Sequence, residues 1–342
     1  MIKDKKIDIC KNIQNEVIKN ILDNKLIQKN DKIVLAVSGG PDSMCLLKVF
    51  NDIKEILAKE YNISYELIVA HVNHGIRKES DYEKKYVEEF CNELNIPFYY
   101  LKEDVEKLAK MKKLSVEACG RKVRYDFFQK VKKETNSSKI AVAHNQDDNV
   151  ETICLNLIRG CGLKGLIGMD FVNNDIIRPL LTIEKKDILE YNIVLNLNPC
   201  FDVTNTQNIY LRNKIRNILI PQINNEYNSN FSNNIIRMKE ILSNDENFLT
   251  EYTNNILSRC VINKSEERIL FNSKIIVDSH IAISYRLIRQ IINMKLGNLE
   301  TISNIHINDV YKLLKNNIKG KKYIIGNKFT FEIIEKDKAV IY

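Results

Sequence analysis

Ser38-Gly39-Gly40-Pro41-Asp42-Ser43 gathers two glycines, two hydroxyls and one carboxylate into a single turn. Residues without Cβ let backbone N–H groups approach an anion closely. Leu46, Leu47, Phe50, Ile53 and Leu57 follow at helical spacing. They predict a helix whose first turn adds unpaired N–H groups and the positive end of its dipole. Such a turn either caps a surface helix or binds phosphate. In the second case Ser38 and Ser43 donate hydroxyls and Asp42 holds a divalent cation. The turn lacks the Gly-Lys-Ser/Thr ending of a Walker loop, so ordinary γ-phosphate cleavage is not indicated.

Four further groups can do chemistry. In Ala143-His144-Asn145-Gln146-Asp147-Asp148-Asn149-Val150-Glu151, Asp148 and Glu151 lie three apart and share a face at a helix start. They either cap that helix or bind a cation, an amine or a proton. Arg121 and Arg124 share a helix face that is either solvated or clamps phosphate. Arg212 and Arg216, at i and i+4, form a basic stripe of the kind that meets a phosphate backbone. Ala70-His71-Val72-Asn73-His74-Gly75-Ile76-Arg77 contains His-x-x-His, but no third metal ligand is placed, which favours hydrogen bonds to loops or a nucleotide. The segment from Arg159 to Gly168 spends four of the chain's 11 glycines in one loop, a pattern usual for functional loops.

The elements that must position these groups alternate. Strands are expected at Ile33–Val37, Tyr65–Val72, Pro97–Leu101 and Lys139–Ala143. Helices are expected at residues 9–27, Ser80–Leu94, Val116–Lys133 and Asp147–Ile158. This alternation predicts an α/β fold, a doubly wound and mostly parallel sheet. Ligands bind such sheets beyond the carboxyl ends of the strands, where the strand order reverses. The Ser38–Ser43 turn, the His71–Arg77 segment and the Asp148–Glu151 segment each follow a predicted strand. A helix from Ile209 is expected to end at Pro221. Beyond it the alternation stops, which places a catalytic domain at 1–221 and a smaller helical domain at 222–342, with a β-like stretch near Arg268–Val277 and a terminal β hairpin.

The chain has 342 residues and a formal charge of +8, which suits a polyanionic partner such as nucleic acid. Eight cysteines are scattered without a Cys-x-x-Cys pair, against zinc ribbons and thioredoxin-like sites and in keeping with a reducing compartment. No apolar run of about eighteen residues spans a membrane. The N-terminus lacks the apolar region of a secretory signal, so a cytoplasmic protein is expected.

The Ser38–Ser43 turn resembles the phosphate loop of the PP-loop ATP pyrophosphatases. In order along the chain, it is joined by Ala70–Arg77, Glu117–Tyr125, His144–Thr152, Arg159–Leu166, Arg178-Pro179-Leu180-Leu181 and Asp202–Arg216. Together they resemble the tRNA(Ile)-lysidine synthetase family, strongly over about residues 30–220. The resemblance implies a PP-loop fold, of the adenine nucleotide α-hydrolase type, with a tRNA-binding C-terminal domain. It also implies an ATP-dependent carbon–nitrogen ligase: ATP adenylates C2–O of the wobble cytidine in the CAU-anticodon isoleucine tRNA, and L-lysine displaces AMP to give lysidine.

By the same resemblance, Ser38, Gly39, Gly40, Pro41, Asp42 and Ser43 bind ATP, and Asp42 holds Mg2+. Asp42, Asp148, Glu151 and Arg121 are catalytic, while Arg124, Arg212 and Arg216 bind tRNA or the reacting nucleotide. The assembly is left open, with a homodimer as one form. Alternatives are a PP-loop tRNA thiolase, which usually carries the missing Cys-x-x-Cys, and a small-molecule amide-forming ATP pyrophosphatase. Cys119-Gly120, Asn145, Asn149 and Phe201 depart from the family pattern, and the chain leaves little room for the further C-terminal domain of many members.

Overall fold

The computed structural model describes residues 2–75, 80–200, 208, 210–297, 299, 301–326 and 329–342. Arg77, Phe201 and Asp202 lie outside the described residues. Two compact units emerge, residues 1–239 and 240–342.

In the first unit the strands are β1 (Asp31–Ala36), β2 (Tyr65–Asn73), β3 (Phe98–Lys102), β4 (Lys139–Ala141), β5 (Val172–Asn173) and β6 (Ile176–Ile177). The helices that wrap them begin with α1 (Ile2–Asp23), α2 (Pro41–Asp52), α3 (Lys54–Tyr61), α4 (Ser80–Glu93) and α5 (Val105–Lys112). They continue with α6 (Val116–Glu134), α7 (Gln146–Arg159), α8 (Leu163–Leu166), α9 (Lys185–Val194), α10 (Leu211–Lys214) and α11 (Ile220–Glu226).

Among the described residues the sheet order is β3-β2-β1-β4-β6-β5, parallel except for the β5–β6 pair. The near-continuous apolar run of β1 follows from burial on both faces. Ile33 and Leu35 face a core shared with α1, α2 and α9, whereas Val34 faces Phe127, Phe128 and Val131 of α6. β2 obeys the same alternation, with Leu67 and Val69 on one side and Ile68 and Ala70 on the other. The chain leaves β1 for β2 and β3, then returns to place β4 on the opposite flank of β1. The order therefore reverses between β1 and β4, and the loops leaving these two strands form the crevice expected to hold ligand.

Pro221 does not end a helix. Residues Ile215–Leu219 form a π-helical turn, and Pro221 sits in the first turn of α11, where its missing N–H leaves no bond unmade. The unit boundary also falls later than the expected 221/222. Phe231, Ile235 and Ile236, at the start of α12 (Phe231–Cys260), pack on Val150, Cys154 and Ile215.

The second unit joins the rest of α12 to α13 (Ser273–Asp278), α14 (Ile281–Leu296) and α15 (Asn304–Asn316). Its strands are β7 (Val261–Lys264), β8 (Ile269–Asn272), β9 (Lys322–Ile325), β10 (Phe329–Glu335) and β11 (Lys338–Ile341). The expected terminal hairpin is present as β10–β11, and it belongs to an antiparallel sheet ordered β7-β8-β11-β10-β9. Phe329, Phe331 and Ile333 alternate inward along β10 against Leu287, Ile291 and Val310 of the helices, in one apolar core.

Candidate active site

Gly39 takes φ +89°, a conformation costly for any residue with a Cβ, and its carbonyl accepts a bond from Cys200 N at 2.9 Å. Gly40 caps α2 and Pro41 fills its first turn. Ser43 is buried and braces the loop from within. Its Oγ accepts from Ser38 N at 3.1 Å and donates to Gly40 O at 2.9 Å, while Ser38 Oγ accepts from Gly40 N at 3.3 Å. The two hydroxyls stand 3.2 Å apart. Their first role is thus to shape the turn.

Asp42 points out of that turn towards the loop after β4. Its Oδ1 accepts from Asn145 Nδ2 at 2.9 Å, and its Oδ2 pairs with Lys185 Nζ at 2.6 Å. Lys185 was not singled out from the sequence. Its one available signal is its position: a lysine in the first turn of a helix opposes the dipole, which requires a compensating anion. Asp147 supplies a second anchor by accepting from Lys185 N at 2.8 Å.

Asn145 caps α7, and the cap is reciprocal. Asp148 N donates to Asn145 Oδ1 at 2.9 Å, and Asn145 N donates to Asp148 Oδ2 at 3.2 Å. Capping and site-building, which the sequence left as alternatives for Asp148, therefore coexist. Its other oxygen, Oδ1, accepts from Arg212 and Arg216, each at 3.0 Å. One turn on, Glu151 is 1% exposed and also receives both guanidinium groups, Arg212 Nε at 2.9 Å and Arg216 NH2 at 2.9 Å.

Arg212 and Arg216, expected from the sequence to bind tRNA or the reacting nucleotide, are engaged here by these two acids. Their i, i+4 spacing matches the i, i+3 spacing of the acids on α7, and both forks turn inward. Burial works against charge on Arg216, but hydrogen bonding to Glu151 and the nearby Asp148 and Asp42 raise its pKa. Asp42, Asp148 and Glu151 are thus set against Lys185, Arg212 and Arg216.

His144 precedes this cluster. Burial, reinforced by Arg178, Arg212 and Arg121, pushes its pKa down to about 4 against the pull of Asp148. It is a neutral imidazole at pH 7, and its Nδ1 is buried with no hydrogen-bond partner among the described residues. The same holds for Asn149 Nδ2 and Arg178 Nε, although Arg178 NH1 donates to Asp170 O at 2.8 Å. Arg121 lies over the Tyr125 ring, 4.9 Å from its centre. Arg124 is exposed on the same helix, and no ion pair holds it among the described residues.

His71 Nδ1 donates to Val37 O, 2.9 Å away, directly behind the phosphate loop, and the ring stacks on Tyr100. Burial lowers its pKa, so it buttresses β1 as a neutral ring. No cluster of three or more metal-ligating side chains occurs among the described residues. The glycine loop after α7 is tied to that helix. Asn149 Oδ1 accepts from Met169 N at 2.8 Å and Asn156 Nδ2 donates to Gly165 O at 2.9 Å. A Cβ on Gly168 would stand 2.4 Å from Asn149 Oδ1, so only glycine fits there.

A parallel sheet with a glycine turn, a carboxylate at the following helix start and polar loops at the switch point defines a PP-loop domain. The PP-loop domain family matches residues 10–223. The fold is similar to that of the U34-tRNA thiolase NcsA from Methanococcus maripaludis, with a TM-score of 0.55 and 21% identity over 69% of this chain and 80% of that one. The tRNA(Ile)-lysidine synthase of Clostridioides difficile is 38% identical over 331 residues, 96% of this chain and 70% of the relative. Those of Caldanaerobacter subterraneus and Clostridium tetani are each 38% identical over 301 residues, 87% of this chain and 63% of theirs. The chain belongs to the tRNA(Ile)-lysidine synthase family, and spans about two-thirds of the length of these relatives.

Two outcomes follow from the charge cluster. Arg216→Ala strips a partner from buried Glu151 and is expected to lower stability by about 2 kcal/mol, discounted from the value for fully buried pairs because Arg216 is partly exposed. A urea midpoint unchanged from wild type would contradict this. The second concerns pH. His144 has a folded pKa near 4 against an ordinary 6.5, so on acidification the unfolded chain takes up its proton first. Its contribution is intact above pH 6.5 and is lost as pH falls towards 4, by up to about 3 kcal/mol. Stability curves of wild type and His144→Gln should therefore converge or cross as pH falls through this window; parallel curves would refute it.

Proposed function

We propose that the chain joins L-lysine to C2 of the wobble cytidine in the CAU-anticodon isoleucine tRNA, at the expense of ATP, giving lysidine, AMP and pyrophosphate. The observation that carries this reading is the junction at the start of α7. One capping asparagine joins the phosphate-loop carboxylate to Asp148, which shares two arginines with Glu151. Nucleotide chemistry and acceptor chemistry thereby meet on adjacent hydrogen bonds.

The steps follow from the groups present. The cytidine C2 oxygen attacks the α-phosphorus of ATP, the bond from that phosphorus to the bridging oxygen breaks, and pyrophosphate leaves. Backbone N–H groups of Gly39, Asp42 and Ser43 and the helix dipole of α2 favour the negative charge that builds on the leaving group. The lysine amine then attacks C2, AMP departs, and the amine's proton passes to a carboxylate. Asp148 and Glu151 are the acids in place, and the guanidinium groups of Arg212 and Arg216 orient their oxygens. Arg121 and Arg124, exposed on α6, are assigned to the AMP phosphate and the cytidine.

Mg2+ fits this site through Asp42, since such ions take one or two carboxylates together with substrate phosphates. When bound it would neutralise charge on the β- and γ-phosphates. Asn145 and Lys185 each take one position on the Asp42 oxygens, so a cation there would share Oδ2 with Lys185 or take its place. The second unit and the net charge of +8 are assigned to holding the tRNA body. No helix among the described residues is long and apolar enough to cross a membrane, and the reading places the enzyme in the cytoplasm, as a monomer or a homodimer.

The test is radiolabelled lysine with ATP, magnesium and tRNA transcripts. Lysine should be incorporated into the isoleucine transcript with anticodon CAU and not into the same transcript with UAU. Uridine presents a donor at N3 where cytidine presents an acceptor, and leaving buried groups unpaired costs several powers of ten in rate. No incorporation into the CAU transcript, or sulfur transfer in its place, would overturn the assignment.

A further inference from the structure

Asn145 has both ends of its side chain committed. Oδ1 faces the N–H of Asp148, a group that can only donate. Nδ2 is therefore the end that meets the Asp42 carboxylate, which only accepts. The orientation of the amide is fixed by its two partners. Asn145 is 3% exposed, so water does not substitute for either bond.

The capping duty alone does not explain asparagine here. Serine, aspartate and asparagine cap helices about equally well, since each presents an oxygen to the N2 or N3 amide. Serine is too short to reach Asp42, and aspartate would set a second carboxylate against it. Only asparagine among these gives an acceptor to α7 and a donor to the phosphate loop. Lys185 holds the other Asp42 oxygen, so the carboxylate is fixed from two sides.

We propose that Asn145 is a positioning residue for the nucleotide. Its amide holds Asp42 in the orientation that faces the phosphates and locks the phosphate loop to the first turn of α7. The role deepens the nucleotide reading of the loop and rests on it, but it does not depend on which tRNA or amine is used.

The experiment measures the dissociation constant of ATP with magnesium by calorimetry, on the full chain, beside thermal melting. Asn145→Ser keeps the cap and adds no charge. Its melting temperature should stay within about 2 °C of wild type while ATP binding weakens about tenfold. Asn145→Asp also keeps the cap but sets a second carboxylate against Asp42, and ATP binding should weaken more than tenfold at pH 8 with the melting temperature again close to wild type. Wild-type affinity in both variants would overturn the inference. Failure of wild type itself to bind ATP would overturn the nucleotide reading as well.

Discussion

A helix that starts beneath the switch point of a parallel sheet must satisfy its own first amides, and at the start of α7 this is done with the same side chains that build the site. Asn145 and Asp148 cap one another through two bonds. What remains of each, an amide N–H2 and a carboxylate oxygen, is aimed outwards at Asp42 and at the two arginines. Cap geometry therefore sets where the phosphate-loop carboxylate, the acceptor acids and the guanidinium forks stand. A shift of the first turn of α7 would move all of them together.

The charges gathered there would be costly to bury singly. Glu151 is almost fully enclosed, and an unpaired carboxylate in such a place would lose several kcal/mol of hydration. Two arginines with fixed, forked donors supply most of its hydrogen bonds and share them with Asp148. The arrangement is close to neutral as a whole, so it withstands burial. Neutral His144 flanks the cluster without adding to its positive side.

Much of the first unit was legible because its physics is local. The strands read as short apolar runs, most fully where both faces are buried as in β1, and the phosphate loop announced itself through glycine, proline and hydroxyl residues. The acids at 148 and 151 were placed correctly on one helix face. Less visible was what a side chain at distance would do. The arginines at 212 and 216 read as a solvent-facing stripe because their partners lie some sixty residues away, at Asp148 and Glu151. Lys185 was silent for the same reason. The helices Val105–Lys112 and Asn304–Asn316 were missed, the first because lysines dilute its apolar period. In the second unit, β8 pairs with β11 across the whole unit, a non-local register that no turn signal reveals.

The central claim is that the loop at Ser38–Ser43 grips pyrophosphate, so that ATP is cut between its α- and β-phosphorus atoms. Phosphorus-31 NMR of a complete reaction with tRNA and lysine reads this directly. The account predicts AMP and pyrophosphate in equal amounts, with formation of both dependent on tRNA. Accumulation of ADP and inorganic phosphate in their place would contradict it.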